Sequence, residues 1–184
     1  MFVENRSDAT ALLALQGPAG RAILARLGPS EEDLPKRFRV ARLEVAGASV
    51  LVSATGYTGS PGFELYVSHT DAERLFEAIL EVGGEDGVLP AGLGARDTLR
   101  LEMGYPLYGH ELTEKITPLE AGLGFFVKLD QGEFIGRTAL VEQKEKKPTK
   151  RSAAFRMLGK TPPPRAEYTV WGKDEVWNTG DRSI

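Results

Sequence analysis

Glu64 is the first side chain in this sequence whose type and setting could serve a chemical role. It follows a glycine-rich stretch at residues 57–62 and alternates with Phe63 and Leu65, so it faces away from that apolar pair. A half-buried carboxylate is unfavourable unless it is hydrogen-bonded. A planar heterocycle with adjacent N–H donors, such as the amidine edge of a pterin, would satisfy both oxygens. The pattern also allows Glu64 to face solvent or to pair with an arginine.

Arg96 and Arg100 are the second candidate pair. They are four residues apart in a predicted helix, so both lie on one helical face. Two cations at that spacing repel each other mildly, and two explanations remain open. Asp97 and Glu102 could pair with them structurally, or the arginines could bind a ligand that carries a carboxylate or a pterin.

Tyrosines are frequent in the middle third of the chain, where they could line a core or stack on a flat ligand. They are Tyr57, Tyr66, Tyr105 and Tyr108. The two histidines, His69 and His110, lack the spacing of a zinc motif, and the sequence has no cysteine, so we expect no metal site. Nucleophile-elbow, phosphate-loop and dinucleotide-binding patterns are also missing from the sequence.

Composition narrows the class of protein. The chain has 184 residues, 41% hydrophobic and 27% charged, with a net charge of −3. This balance is ordinary for a globular protein and does not favour nucleic-acid binding. The sequence has no apolar run of membrane-spanning length, and the first residues do not resemble a secretory signal. We therefore expect a cytoplasmic protein that contacts neither membrane nor nucleic acid.

Periodicity and turn residues predict an α+β fold with an antiparallel sheet and packed helices. The predicted helices lie between Gly17-Pro18 and Gly28, from residue 72 to Gly83-Gly84, and over residues 92–103 and 137–146. The predicted strands cover residues 37–45, 48–54, 63–68 and 122–129.

The character of the sequence changes after Lys147-Pro148, where we place a domain boundary. Residues 1–148 form the first predicted domain. Residues 149–184 form the second, with short strands over residues 152–158 and 168–171 on either side of a proline-rich segment. We expect this second part to be the start of a small β-barrel.

Several segments, in order, resemble the T-protein (aminomethyltransferase) family of the glycine cleavage system. They are LALQGP at residues 13–18, ATGYTG at 54–59, GFE at 62–64, GLGARDTLRLE at 92–102, MGYPLYGHEL at 103–112, TPLEAGL at 117–123 and FIGR at 134–137. The similarity extends over about residues 5–170. Related folate-binding families carry a different segment after the helix or a signature cysteine, so the T-protein family fits best.

The resemblance implies a transferase that moves a one-carbon unit from the aminomethyl-lipoyl arm of H-protein to tetrahydrofolate and releases ammonia. It implies that Glu64 hydrogen-bonds the pterin ring and that Tyr57 and Arg96 are further folate-binding residues. Tetrahydrofolate would be a substrate, and lipoylated H-protein would be the protein partner. The sequence departs from the family pattern at both ends.

The aspartate thought essential in the family lies in an N-terminal portion that these residues do not match, so we assign no catalytic residue here. We expect the chain to be incomplete for catalysis by itself. A non-catalytic folate-binding module, or half of a split enzyme, is the alternative. Apolar surface that the unmatched portion would cover invites self-association or a partner.

Overall fold

The computed structural model describes residues 2–155 and 157–160, together with the backbone of two short strands at 170–171 and 176–177. The chain divides into two compact units, Met1–Met103 and Gly104–Ile184. The boundary predicted near residue 148 falls inside the second unit and stays a prediction. Among the described residues, no helix combines the length and apolar character needed to cross a membrane.

A four-stranded antiparallel sheet forms the centre of the first unit. Its strands are β1 (Thr10–Gln16), β2 (Val40–Val45), β3 (Ala48–Ser53) and β4 (Gly62–Ser68). Their spatial order is β1-β4-β3-β2, so β4 lies between the first strand and the β2–β3 hairpin. This confirms the predicted α+β fold with an antiparallel sheet. Strand β1 was not predicted from the sequence.

One face of this sheet is apolar and carries the core. In β4 the buried residues are Phe63, Leu65 and Val67, which alternate with Glu64 and Tyr66 as predicted. Helices α1 (Gly20–Ala25) and α2 (Ala72–Gly83) contribute Ile23, Leu24, Leu75 and Ile79 to the same core. We call the opposite side of the sheet, which carries Glu64, the outer face.

The other helices are α3 (Leu93–Glu102) in the first unit and α4 (Arg137–Lys146) in the second. Both were predicted, as were α1, α2 and the β2–β3 hairpin. Gly92 adopts an extended conformation at the N-cap of α3, so it lies just before the helix. Most of α3 is exposed, including the apolar residues Leu93 and Leu101.

The strand predicted over residues 122–129 is wrong. A short 3₁₀ helix, Gly124–Phe126, occupies this segment, and its backbone hydrogen bonds are local. The amide of Phe126 donates to the carbonyl of Leu123, and that of Val127 donates to Gly124. Two adjacent phenylalanines favoured a strand in the sequence, but both are exposed. No strand among the described residues pairs with this segment, so its backbone hydrogen bonds stay local.

The later strands are confirmed only in part. The described portion of the strand predicted over residues 152–158 contains no strand, and the amide of Ser152 instead donates to the carbonyl of Glu120. Strand β5 (Val170–Trp171) matches the end of the strand predicted at residues 168–171 and pairs antiparallel with β6 (Val176–Trp177). Residues 156 and 168–169 lie outside the described part. The predicted start of a β-barrel stays a prediction.

Candidate functional site

Glu64 lies on the outer face of the sheet, between β1 and β3. The strand register places it opposite Ala14 on one side and opposite Ser53 on the other. Its side chain is half-buried, whereas its neighbours Phe63 and Leu65 are buried on the core face. The β4 alternation therefore presents one carboxylate on a surface that the core does not use.

Two hydroxyl groups support this carboxylate. The Thr55 hydroxyl donates a hydrogen bond to Glu64 Oε2, with an oxygen–oxygen distance of 2.5 Å. The Ser53 hydroxyl lies 2.8 Å from the Thr55 hydroxyl and is buried. Thr55 thus links the end of β3 to the carboxylate on β4. Glu64 is therefore hydrogen-bonded and not freely solvated, and no ion pair to it is found in the part of the chain that the structure describes.

Gln16 holds together the two segments that carry the site. Its Nε2 donates to the carbonyl of Thr55 at 3.2 Å and to the carbonyl of Phe63 at 3.1 Å. Its Oε1 accepts from the hydroxyl of Thr58 at 3.3 Å. One carboxamide at the end of β1 thereby fixes the loop that carries Tyr57 and the strand that carries Glu64. We call this arrangement the Gln16 clasp.

Glycine is required beside the clasp because the carboxamide fills the space that a side chain would need. A Cβ added at Gly56 would lie 2.0 Å from Gln16 Oε1, and one at Gly62 would lie 2.6 Å from Gln16 Cδ. A Cβ at Gly62 would also lie 2.7 Å from the backbone oxygen of Leu15. The glycines of this loop therefore allow the close approach of β1.

Arg96 stacks on Tyr57, which brings two of the three predicted site residues together. The guanidinium carbon of Arg96 lies 4.7 Å from the centre of the Tyr57 ring. The loop also contacts the end of α3 at Gly59, whose φ is +77° and where an added Cβ would lie 2.4 Å from Met103 Cγ. Helix α3 thus places a cation against an aromatic ring of the loop.

Arg100 differs from Arg96 because it is buried, with 4% of its surface exposed. Its Nε and Nη2 lie 2.8 Å and 2.7 Å from Asp97 Oδ1. The structural explanation of the arginine pair, pairing with Asp97, therefore holds for Arg100. Arg96 alone of the two is exposed and stacked on the loop.

The remaining tyrosines considered in the sequence lie elsewhere in the fold. Tyr66 lies on the outer face of β4 and is partly exposed, whereas Tyr105 and Tyr108 belong to the second unit. In the part of the chain that the structure describes, no three histidine or acidic side chains cluster as they would around a metal ion.

Changing Gln16 to Glu is expected to lower stability by about 2 kcal/mol, because two donated hydrogen bonds are replaced by an anion facing two carbonyl oxygens. The unfolding midpoint in urea measures this loss. Gln131→Glu is the matched control, since Gln131 is exposed and the same change there is expected to have little effect. Equal midpoints for the two variants would contradict the clasp.

Comparison with known proteins agrees with the segments found in the sequence. Residues 1–131 match the family model described as the GCVT N-terminal domain. The chain belongs to this family. The resemblance to the T-protein family stated from the sequence is thereby confirmed.

Members of the GCVT family with high similarity are named aminomethyltransferases. That of Caldanaerobacter subterraneus subsp. tengcongensis is 52% identical over 160 residues, covering 85% of this chain and 42% of the relative. That of Bacillus pumilus is 45% identical over 188 residues, covering 100% of this chain and 51% of the relative. The chain thus spans about half the length of the curated relatives it matches.

A solved structure shares the fold. The glycine cleavage system aminomethyltransferase T from Bartonella henselae superimposes with a TM-score of 0.66 and 34% sequence identity. The match covers 76% of this chain and 38% of that protein.

Three residues of the site were not identified from the sequence. Ser53, Thr55 and Gln16 act through contacts that only the folded sheet creates, and Gln16 reaches partners 39 and 47 positions away. The available signal was that the LALQGP and ATGYTG segments occur in the same chain. That co-occurrence indicated a family and did not indicate that the two segments touch.

Proposed function

We propose that this chain is the folate-binding part of a tetrahydrofolate-dependent aminomethyltransferase of the glycine cleavage system. The reaction transfers the one-carbon unit from aminomethyl-lipoyl H-protein to tetrahydrofolate and releases ammonia. Tetrahydrofolate acts as a substrate, and lipoylated H-protein is the protein partner. Membership of the GCVT family and similarity to named aminomethyltransferases support this proposal.

The observation that carries the proposal is that Gln16 links the strand that carries Glu64 to the loop that carries Tyr57, on which Arg96 stacks. Glu64 offers acceptor sites on the outer face of the sheet, to which the N–H groups of a pterin edge could donate hydrogen bonds. Tyr57 and Arg96, 4.7 Å apart, offer an aromatic and cationic surface suited to the flat ring or the carboxylates of folate. The chemical class of each group fits the ligand.

These residues would contribute to the reaction by holding tetrahydrofolate in a fixed orientation. Transfer requires a nucleophilic nitrogen of tetrahydrofolate to be held against the incoming carbon, and a rigid site supplies that orientation. The Gln16 clasp and the Thr55 contact restrict movement of the groups that would hold the pterin. We assign no group among these residues to stabilising the departing ammonia.

A second proposal is that the 184-residue chain binds folate without turnover, as a binding module or as half of a split enzyme. The observation that favours it is that the described site residues offer a hydrogen-bond acceptor, a ring and a cation suited to binding, and none of them is assigned a part in the chemistry. An assay with aminomethyl-lipoyl H-protein and tetrahydrofolate tests this. We expect no ammonia release from the chain alone, and release at a rate typical of an enzyme would contradict it.

Calorimetric titration with tetrahydrofolate tests the folate site, and the matched pair Arg96→Ala and Arg37→Ala locates it. Arg37 also stacks on an aromatic ring, that of Phe38, with the same 4.7 Å separation. We expect Arg96→Ala to weaken binding about fivefold to tenfold, the effect of losing one cation from a partly desolvated site. Arg37→Ala is expected to leave the affinity unchanged.

Two outcomes would contradict the folate site. A folded wild-type chain that produces no heat of binding would contradict the proposed function. Equal losses in the two arginine variants would place the bound ligand somewhere other than the Tyr57–Arg96 pair.

A further inference from the structure

The hydrogen bonds around Glu64 run in one direction. The Thr55 hydroxyl has a single hydrogen, which it donates to Glu64 Oε2. In the 2.8 Å contact between Ser53 and Thr55, Ser53 must therefore be the donor. Ser53 thus donates to Thr55 and Thr55 donates to Glu64, so Glu64 is the final acceptor in this chain of three groups.

The donor end of this chain is anchored in the sheet. Ser53 is buried and lies directly opposite Glu64 in the β3–β4 register. Thr55 follows the end of β3, and its carbonyl is held by Gln16 Nε2. Both backbones are held in this way, and turning either side chain away would break the Ser53–Thr55 contact or the Thr55–Glu64 hydrogen bond. Oε2 of Glu64 therefore has one preferred position.

We propose that Thr55 is a positioning residue that, supported by Ser53, fixes the Glu64 carboxylate as an acceptor and thereby selects ligands whose ring edge presents N–H donors. The inference rests on the proposed folate site. An ionised carboxylate has about four lone-pair sites, and Thr55 uses one, which leaves room for a pair of ligand donors. A ring edge lacking a donor would leave a desolvated acceptor unpaired, so it binds less tightly.

The test uses the wild-type chain, Thr55→Val, which keeps the shape and loses the donor, and Thr55→Ser, which keeps the donor. Each is titrated with tetrahydrofolate and with an analogue carrying methyl in place of the pterin 2-amino group. We expect Thr55→Val to weaken tetrahydrofolate binding about tenfold and to reduce the preference over the analogue. Thr55→Ser is expected to restore both. An unchanged preference in Thr55→Val would overturn the proposal.

A measurement without folate decides whether Thr55 holds Glu64. The side-chain carboxyl carbon of Glu64, labelled with carbon-13 and assigned by its loss in Glu64→Gln, reports on the hydrogen bond. We expect its resonance to move in Thr55→Val and to stay in place in Thr55→Ser. An unmoved resonance in Thr55→Val overturns the proposal, whether or not tetrahydrofolate binds. Failure of the wild-type chain to bind tetrahydrofolate would separately refute the folate site.

Should Thr55→Val fail to fold, Ser53→Ala takes its place. This change removes the first donor and leaves the Thr55–Glu64 contact, so we expect a smaller shift of the carboxyl resonance in the same direction. No shift in Ser53→Ala would overturn the role of Ser53.

Discussion

Gly62→Ala is expected to destabilise the chain by about 2–3 kcal/mol, an amount typical of forcing an atom into a packed region. The added methyl would lie 2.6 Å from Gln16 Cδ and 2.7 Å from the backbone oxygen of Leu15. A side chain can rotate away, but the Leu15 oxygen is fixed because β1 is paired with β4 along its length. The two strands must therefore separate locally.

Urea denaturation of Gly62→Ala and Gly84→Ala measures this effect with a matched control. Gly84 has a φ of −59°, and nothing lies within 4 Å of an added Cβ there. The same chemical change at Gly84 is expected to be neutral or to stabilise by up to about 1 kcal/mol, because it restricts the unfolded chain. A Gly62→Ala variant as stable as Gly84→Ala would show that β1 and β4 do not approach as closely as described.

Glu64→Gln is expected to weaken tetrahydrofolate binding by about 10-fold to 100-fold. The change keeps the size of the side chain and removes its charge, and hydrogen bonds to a charged group contribute about 1.5–3 kcal/mol. One carboxylate oxygen also becomes an NH₂ group, which would face the N–H donors of a pterin edge. Both effects act on the ligand more than on the fold, because Glu64 is half-buried on the outer face.

Calorimetric titration of Glu64→Gln beside Glu44→Gln measures the loss. Glu44 lies on β2 of the same sheet and is exposed, so its substitution changes the net charge equally without touching the site. We expect Glu44→Gln to bind as the wild type does. Equal affinity in the two variants would mean that Glu64 does not contact the ligand.

The first unit was predictable from sequence wherever a local pattern matched a buried face. In β4, Phe63 and Leu65 alternate with Glu64, and in α2 the helical spacing of Leu75 and Ile79 matches the core they enter. Strand β1 was missed although Leu13 and Leu15 alternate in the same way. Its run of leucine and alanine contains no β-branched residue after Thr10, so propensity favoured no strand. Hydrogen bonding to β4 stabilises β1 as a strand although its residues have little β-propensity.

The sequence pointed to three candidate ligand-facing groups, whose role stays a prediction, and did not point to the residues that support them. Tyr57, Glu64 and Arg96 stand out because a ring, a carboxylate and a cation have evident uses in binding a flat ligand, and because the family resemblance assigns folate binding to them. Gln16 and Thr55 are ordinary polar residues, and their importance arises from distances that only the fold defines. The wrong strand at residues 122–129 has a related cause. Two adjacent phenylalanines favour a strand, but a strand forms only where a partner strand lies beside it.

The most direct test of the folate site is the map of backbone amide resonances in nitrogen-15-labelled chain as tetrahydrofolate is added. We predict shifts concentrated at residues 55–59, at Phe63 and Glu64, and around Arg96 on α3. Saturation of these shifts at the calorimetric stoichiometry would place the ligand between the supported carboxylate and the stacked pair. Shifts confined to the second unit, or no shifts from a folded chain, would contradict the account.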